Sequence, residues 1–232
     1  MDKNWGVSTE TQPNWPKLLS LAVHEFRTPI TVAAGYLRMI LRERAGPISD
    51  QQRKLLEEAE KSCARLSGLV QEMSELSSLE GGRASLASTT IALDGLLAEQ
   101  VASLPELPDR EVRVELETNG PVRIQGDATR LRTAFSSLMT ALRREVIDSD
   151  RMIVRINESK PGSMCVITIG TPGEIDGFAT ANPSSLGRFD EWRGGSGLSL
   201  PIARRVIGQH GGAIFAPPDG KKAGAVILLP QA

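Results

Sequence analysis

The segment LAVHEFRTPI, residues 21–30, places an imidazole, a carboxylate, an Arg-Thr pair and a proline between positions 24 and 29. His24 is one of only two histidines in 232 residues. Neutral imidazole is a nucleophile near pH 7, and a carboxylate on its other ring nitrogen fixes the tautomer and stabilises positive charge. Glu25 adjoins His24, and Thr28 lies one helical turn further on, at i+4. Pro29 cannot donate to the Glu25 carbonyl, which predicts a bend there and a carbonyl without its helical partner. One reading is a surface histidine beside a chance proline. The other is a site for a phosphoryl or acyl group on histidine. An interior proline costs about 3 kcal/mol and needs a reason, and presenting the imidazole is such a reason.

The elements that carry this segment are legible in apolar spacing. Leu19, Val23, Phe26, Ile30, Ala33, Leu37 and Ile40 recur in steps of three and four, the seam of a supercoiled helix. His24 follows a seam residue by one position, about 100° around the axis, and so points off the seam. ERAGPISD breaks the pattern at Gly46 and Pro47, with Ser49 or Asp50 available to cap a second helix. That helix has its own seam of Leu56, Ala59, Cys63, Leu66, Val70 and Met73, widened by Leu69, Leu76 and Leu79, and LEGGRAS stops it. One antiparallel hairpin cannot cover both faces, which predicts a homodimeric four-helix bundle.

The second half has another period. Strand-like runs fall at 111–117, 121–126, 151–157, 163–170 and 222–230, between helical patterns at about 93–103, 128–146 and 197–209. The fold class expected is therefore α+β: a helical hairpin over 15–82 after a tail over 1–14, then an α/β sandwich over 86–232. A net charge of -1 gives no reason to expect nucleic acid or anionic lipid. Cys63 and Cys165 stand far apart without metal-ligand or disulfide spacing. No apolar run approaches the roughly 20 residues of a membrane span. A soluble, cytoplasmic chain is the expectation.

HEFRTPI on the first helix of a dimerising hairpin resembles the phospho-acceptor box of sensor histidine kinases. GGSGLSLPIARRVIGQHGG, residues 194–212, is similar to the glycine-rich box of the same family's ATP domain, and the closing GAVILLP strand matches too. The resemblance covers about residues 15–230. It implies that His24 carries the phosphoryl group, that Glu25 acts as general base, and that Thr28 positions water for dephosphorylating a partner aspartate. It also implies that Gly195 and Gly197 lie near phosphates, where helix N-terminal N–H groups favour anions. A response-regulator receiver domain is the implied partner.

The nucleotide positions depart from the family pattern. On RLRTAFSSLMTALRRE, 130–145, Ser137 and Ala141 stand where the family has two asparagines, the second of which holds magnesium. In ITIGTPGEIDG, 167–177, Gly170 stands for the adenine-binding aspartate and Pro172 for the first glycine of D-x-G-x-G, with Gly173 beside them. Losing such a carboxylate removes about 1.5–3 kcal/mol of hydrogen bonding, and alanine binds no metal. Ser137, Ala141, Gly170, Gly173, Gly195 and Gly197 are thus the residues of a degenerate nucleotide site, with no metal site expected. The reading taken forward is a histidine phosphotransferase that exchanges phosphoryl groups with a receiver aspartate and calls for no cofactor. The alternative is an active kinase core with an atypical pocket, which calls for Mg-ATP. A third is a non-catalytic dimeric scaffold, against which the intact HEFRTP box argues.

Overall fold

The computed structural model describes residues 15–82, 87–107, 110–157, 163–179, 185–193, 197–217 and 223–232. The chain divides into two compact units, one ending at Gly81 and one beginning at Gly82. The expected tail over 1–14 lies outside the described residues.

The first unit is a pair of helices, α1 (Trp15–Leu41) and α2 (Asp50–Glu80). They are antiparallel, because the Ser77 hydroxyl near the end of α2 donates to the Pro16 carbonyl at the start of α1, at 2.7 Å. At the other end Ser49 caps α2 through a reciprocal box. Its hydroxyl accepts from the Gln52 N–H at 3.3 Å, and the Gln52 carboxamide oxygen accepts from the Ser49 N–H at 2.8 Å. Arg53 closes the turn by donating to the Leu41 carbonyl at 3.1 Å and to Glu43 at 2.5 Å. Glu43 has φ 56°, the left-handed conformation that ends a helix and that glycine more often supplies.

The predicted seams are only partly covered within one hairpin. Val23, Val70 and Leu79 are buried, whereas Phe26 and Leu66 are exposed, as are Leu18, Leu21, Val32, Tyr36 and Leu55. Helix α1 runs unbroken through Pro29.

The second unit contains β1 (Thr89–Ala92), α3 (Leu93–Ala102), β2 (Arg113–Thr118), β3 (Arg123–Gly126), α4 (Ala128–Glu145), β4 (Arg151–Asn157) and β5 (Met164–Gly170). It continues with α5 (Ile175–Ala179), β6 (Gly187–Arg188), α6 (Ser199–Gln209), β7 (Ala213–Ala216) and β8 (Ala225–Pro230). Six strands form one mixed sheet in the order β2-β4-β5-β8-β7-β6, with only β2 and β4 parallel, while β1 and β3 form a separate antiparallel pair.

Strand alternation gives the main sheet two different faces. One carries Val154, Ile156, Cys165, Ile167, Ile169, Ile227 and Leu229, all at most 1% exposed and aligned across neighbouring strands. This is the core face, matched by the buried Leu131, Phe135 and Leu138 of α4 and Leu200, Ala203 and Ile207 of α6. The opposite face is polar along β2 and β4. Arg151 lies 3.5 Å from Glu115, and Arg155 bridges Glu117 at 2.6 Å and Asp176 at 2.5 Å.

The start of α4 and the end of α6 are tied at one point. Asp127 caps α4, its carboxylate accepting from the N–H of Arg130 at 3.1 Å and of Ala87 at 3.3 Å. Its own N–H donates to Nε2 of His210 at 2.9 Å, while Nδ1 of that ring donates to the Val206 carbonyl at 2.7 Å. His210 therefore acts as the Nδ1–H tautomer. Gly126 is required here, since a Cβ would stand 2.4 Å from the ring. Burial raises the Asp127 carboxyl, but the N–H donors of Arg130 and Ala87 and the charge of Arg130 outweigh it, and the group is held below its ordinary value. Its contribution is then complete above the ordinary carboxylate range and is lost as pH falls through the lowered folded value. Asp127→Ala should cost about 0.5–2 kcal/mol in urea unfolding at neutral pH, and the gap from wild type should narrow on acidification.

Candidate functional site

On α1 the helical period separates neighbours sharply. Val23 is 5% exposed, whereas the side chains of His24 and Glu25 are 79% and 72% exposed. Thr28 is exposed as well. His24 Nδ1 lies 3.8 Å from a Glu25 carboxylate oxygen, too far for a hydrogen bond but within reach by rotation of two open side chains. Such an arrangement can hold an Nδ1–H tautomer against a carboxylate and leave Nε2 open to an incoming electrophile.

In the second unit Ser137 is half-buried, and Ala141, one turn on along α4, is 3% exposed. Position 141 therefore offers no oxygen to a metal ion. Gly170 lies on the side of β5 away from the core. A Cβ on Gly170 would stand 2.6 Å from the Phe178 ring of α5, and one on Gly224 would stand 2.7 Å from the same ring. Gly170 thus points to the face opposite Ile169, which aligns with Val154 and Ala225 on the core side. The residue at the end of β5 that faces the helices is Ile169, not Gly170. Set on 169–173, the D-x-G-x-G pattern has Ile169 for its aspartate, Thr171 for its first glycine and Gly173 for its second. In either register no carboxylate is present for adenine. The two-residue alternation of MCVITIG held this information, but the side that faced the helices was set by partners in β4 and β8.

Gly173 is exposed, with nothing within 4 Å of a Cβ. Gly197 has φ 63°, as a glycine immediately before a helix allows, and Gly195 lies outside the described residues. Helix α6 begins without a side-chain cap hydrogen bond at Leu198. Its third residue is Pro201, which has no N–H, so the first turn has one donor fewer for a phosphate.

The stretch before that helix is held by charge and packing. Glu191 pairs with Arg204 at 2.7 Å and Arg205 at 3.7 Å. Arg193 lies 4.4 Å from the centre of the Phe189 ring and 3.7 Å from Glu145 at the end of α4. Burial pulls the Arg193 guanidinium below its ordinary value, against the carboxylates of Glu145 and Asp190 that raise it. Next to this pair is a cavity of about 430 Å³, whose lining includes Glu145, Asp148, Thr171 and Glu174. Glu145 is offset there by Arg193, and Asp148 and Glu174 add negative charge to the lining. Position 141 and the end of β5 lack the side-chain oxygen and the carboxylate that the family pattern places there. Among the described residues no group of three or more His, Cys, Asp or Glu is placed to hold a metal ion, and no helix is long and apolar enough to cross a membrane.

Comparison with known proteins gives the context for both units. The model of the His Kinase A (phospho-acceptor) domain matches residues 17–82. The chain is 25% identical over 218 residues to the circadian input-output histidine kinase CikA of Synechococcus elongatus, covering 85% of this chain and 27% of that protein. It is 26% identical over 192 residues to the phosphate regulon sensor protein PhoR of Pseudomonas aeruginosa, covering 81% and 43%. It is 27% identical over 200 residues to the sensor protein VanS of Enterococcus faecium, covering 83% and 51%. The chain thus spans between about a quarter and a half of the length of these relatives. Among solved structures, full-length ShkA in complex with AMPPNP superposes with a TM-score of 0.68 at 21% identity, over 94% of this chain and 46% of that one. The histidine kinase AdeS of Acinetobacter baumannii gives 0.59 at 18%, over 89% and 97%. Residues 17–82 thus match a histidine kinase phospho-acceptor domain, and the whole chain is similar in sequence and in fold to the core of sensor histidine kinases.

Proposed function

We propose that this chain is a homodimeric histidine phosphotransferase, which takes a phosphoryl group on His24 from a response-regulator aspartate and returns it, without using ATP. The observation that carries the proposal is Ala141, buried on α4 where the family's magnesium-holding asparagine is expected. The absent carboxylate at 169 and 170 and the acidic cavity beside them support it. In the forward step Nε2 of neutral His24 attacks phosphorus. The N–P bond forms as the P–O bond to the receiver aspartate breaks, and the aspartate leaves as a carboxylate. Glu25 stabilises the charge on the ring and accepts the Nδ1 proton, and the return step reverses both movements. Thr28, one turn along the same exposed face, positions water for hydrolysis of the receiver's phosphate.

The dimer follows from the apolar side chains that one hairpin leaves in water: Leu18, Leu21, Val32, Tyr36 and Leu55. A second hairpin covers them at a cost in ordering that their burial offsets. Light scattering coupled to gel filtration should give twice the chain mass, and Leu21→Glu with Val32→Glu should halve it. A wild-type monomer at micromolar concentration contradicts the bundle.

Two substitutions separate the roles on α1. Glu25→Gln should slow transfer between receiver and His24 by about 10²–10⁴-fold. Thr28→Ala should reduce phosphate release from the receiver while leaving that transfer rate near wild type. Equal effects of both substitutions on both rates would contradict the division.

The second reading is an ATP-dependent kinase, and the AMPPNP held by ShkA favours it. Calorimetry with Mg-ATP separates the two. The phosphotransferase reading predicts no saturable heat at micromolar nucleotide, and tight binding would overturn it. Gly170→Asp should add no affinity and should lower the melting temperature, because its side chain meets Phe178. Ala141→Asn with Ile169→Asp is the pair expected to restore some binding.

A further inference from the structure

The outer edge of the main sheet carries a groove that the chemistry above does not use. Strand β2 is the last in its sheet and pairs only with β4, so its outward-facing peptide groups have no ladder partner among the described residues. A groove of about 760 Å³ runs along this edge, lined by the consecutive residues 111–115. Val101, Leu104 and Leu107 line it from the end of α3 and the segment beyond, and Arg143 enters it from the last turn of α4.

Arg143 is the unexplained group. It is 8% exposed. One of its terminal nitrogens donates to the Pro105 carbonyl at 2.9 Å, and its Nε is buried with no hydrogen-bond partner among the described residues. No carboxylate there pairs with it, whereas buried guanidinium groups are ordinarily paired. The other charges of the groove are largely spoken for. Glu111 holds Arg113 at 2.9 Å and Glu115 holds Arg151 at 3.5 Å. Arg110, Arg113 and Arg143 stand against Glu106, Glu111 and Glu115 in the lining, so the groove is neutral as a whole and Arg143 is its buried cation without a carboxylate among the described residues.

We propose that this groove binds an extended segment of a partner protein that carries one carboxylate, laid beside β2 as an added strand. The unpaired edge supplies backbone hydrogen bonds, the valine and leucine walls take apolar side chains, and the planar fork of Arg143 takes the carboxylate. A dianionic or phosphate-rich ligand fits less well, because the lining carries as many carboxylates as guanidinium groups. The site uses no residue of the phosphotransfer chemistry and stands independently of it.

The test is fluorescence anisotropy of the full chain with a labelled heptapeptide, Thr-Val-Thr-Asp-Thr-Val-Thr. Three comparators are run: the same peptide with Asn for Asp, the same peptide N-methylated at both valines, and acetate as competitor. The Asp peptide should bind saturably, the Asn peptide about ten-fold or more weakly, and the N-methylated peptide not at all. Arg143→Met should bring the Asp peptide down to the level of the Asn peptide. Equal binding of the Asp and Asn peptides overturns the carboxylate role of Arg143. Undiminished binding of the N-methylated peptide, or full displacement by acetate at the peptide's own concentration, overturns strand addition. Absence of saturable binding by the Asp peptide overturns the site. The peptide comparisons use wild-type protein, so a folding defect in Arg143→Met leaves them intact.

Discussion

The packing of α1 against α2 is the constraint on which the chemistry of this protein depends. A helix turns about 100° per residue, so burying Val23 puts His24 into water whatever else the sequence does. The hairpin then has to be held in register for that placement to persist. The Ser49 capping box, the Arg53 contacts with Leu41 and Glu43, and the Ser77 bond to Pro16 fix its two ends. Pro29 removes one backbone bond from the helix, at a cost of about 3 kcal/mol for an interior position. A 27-residue helix packed along its length absorbs that cost, and the Glu25 carbonyl, one residue from the imidazole, is left without its helical donor.

A second alternation, of period two, governs the sandwich. It puts Ile169 among the core residues and Gly170 under the Phe178 ring, so neither position at the end of β5 presents an acid to the helix layer. Ala141 on α4 offers no side-chain oxygen and Pro201 in the first turn of α6 offers no N–H, and the proposed independence from ATP rests on these two positions together with the end of β5. The stability of the fold lies elsewhere. It rests on the core belt of β4, β5 and β8, and on the His210–Asp127 junction that joins α4 to α6. Architecture and nucleotide chemistry are therefore separable in this fold, and the phosphotransfer proposed for His24 draws on the first unit.

Much of this was legible in sequence, and the misses have physical causes. The three-and-four spacing from Leu19 to Ile40 located α1, and the strand over 151–157 has the limits its pattern suggested. Phe26 and Leu66 fit the seam by spacing yet are exposed, because spacing marks an apolar face without saying which chain covers it. Strand β1 went unread: TTIA is four residues long and is a strand only because Ile91 pairs with Ile124, far along the chain. The face of Gly170 could not be read from sequence, because a glycine has no side chain to report it and the Phe178 ring that marks it lies on α5. His24, Glu25 and Thr28 could be named from sequence because an exposed helix face needs no distant partner to define it. The Arg143 groove could not, since its walls come from α3, α4 and β2.

The most direct measurement is acid-labile label on the purified dimer after separate exposure to a phosphorylated receiver domain and to Mg-ATP, with peptide mapping of the modified residue. The account predicts label from the receiver alone, confined to His24, and lost in His24→Ala while the dimer persists. Label from Mg-ATP at a comparable rate, or label that remains in the His24→Ala protein, would contradict it.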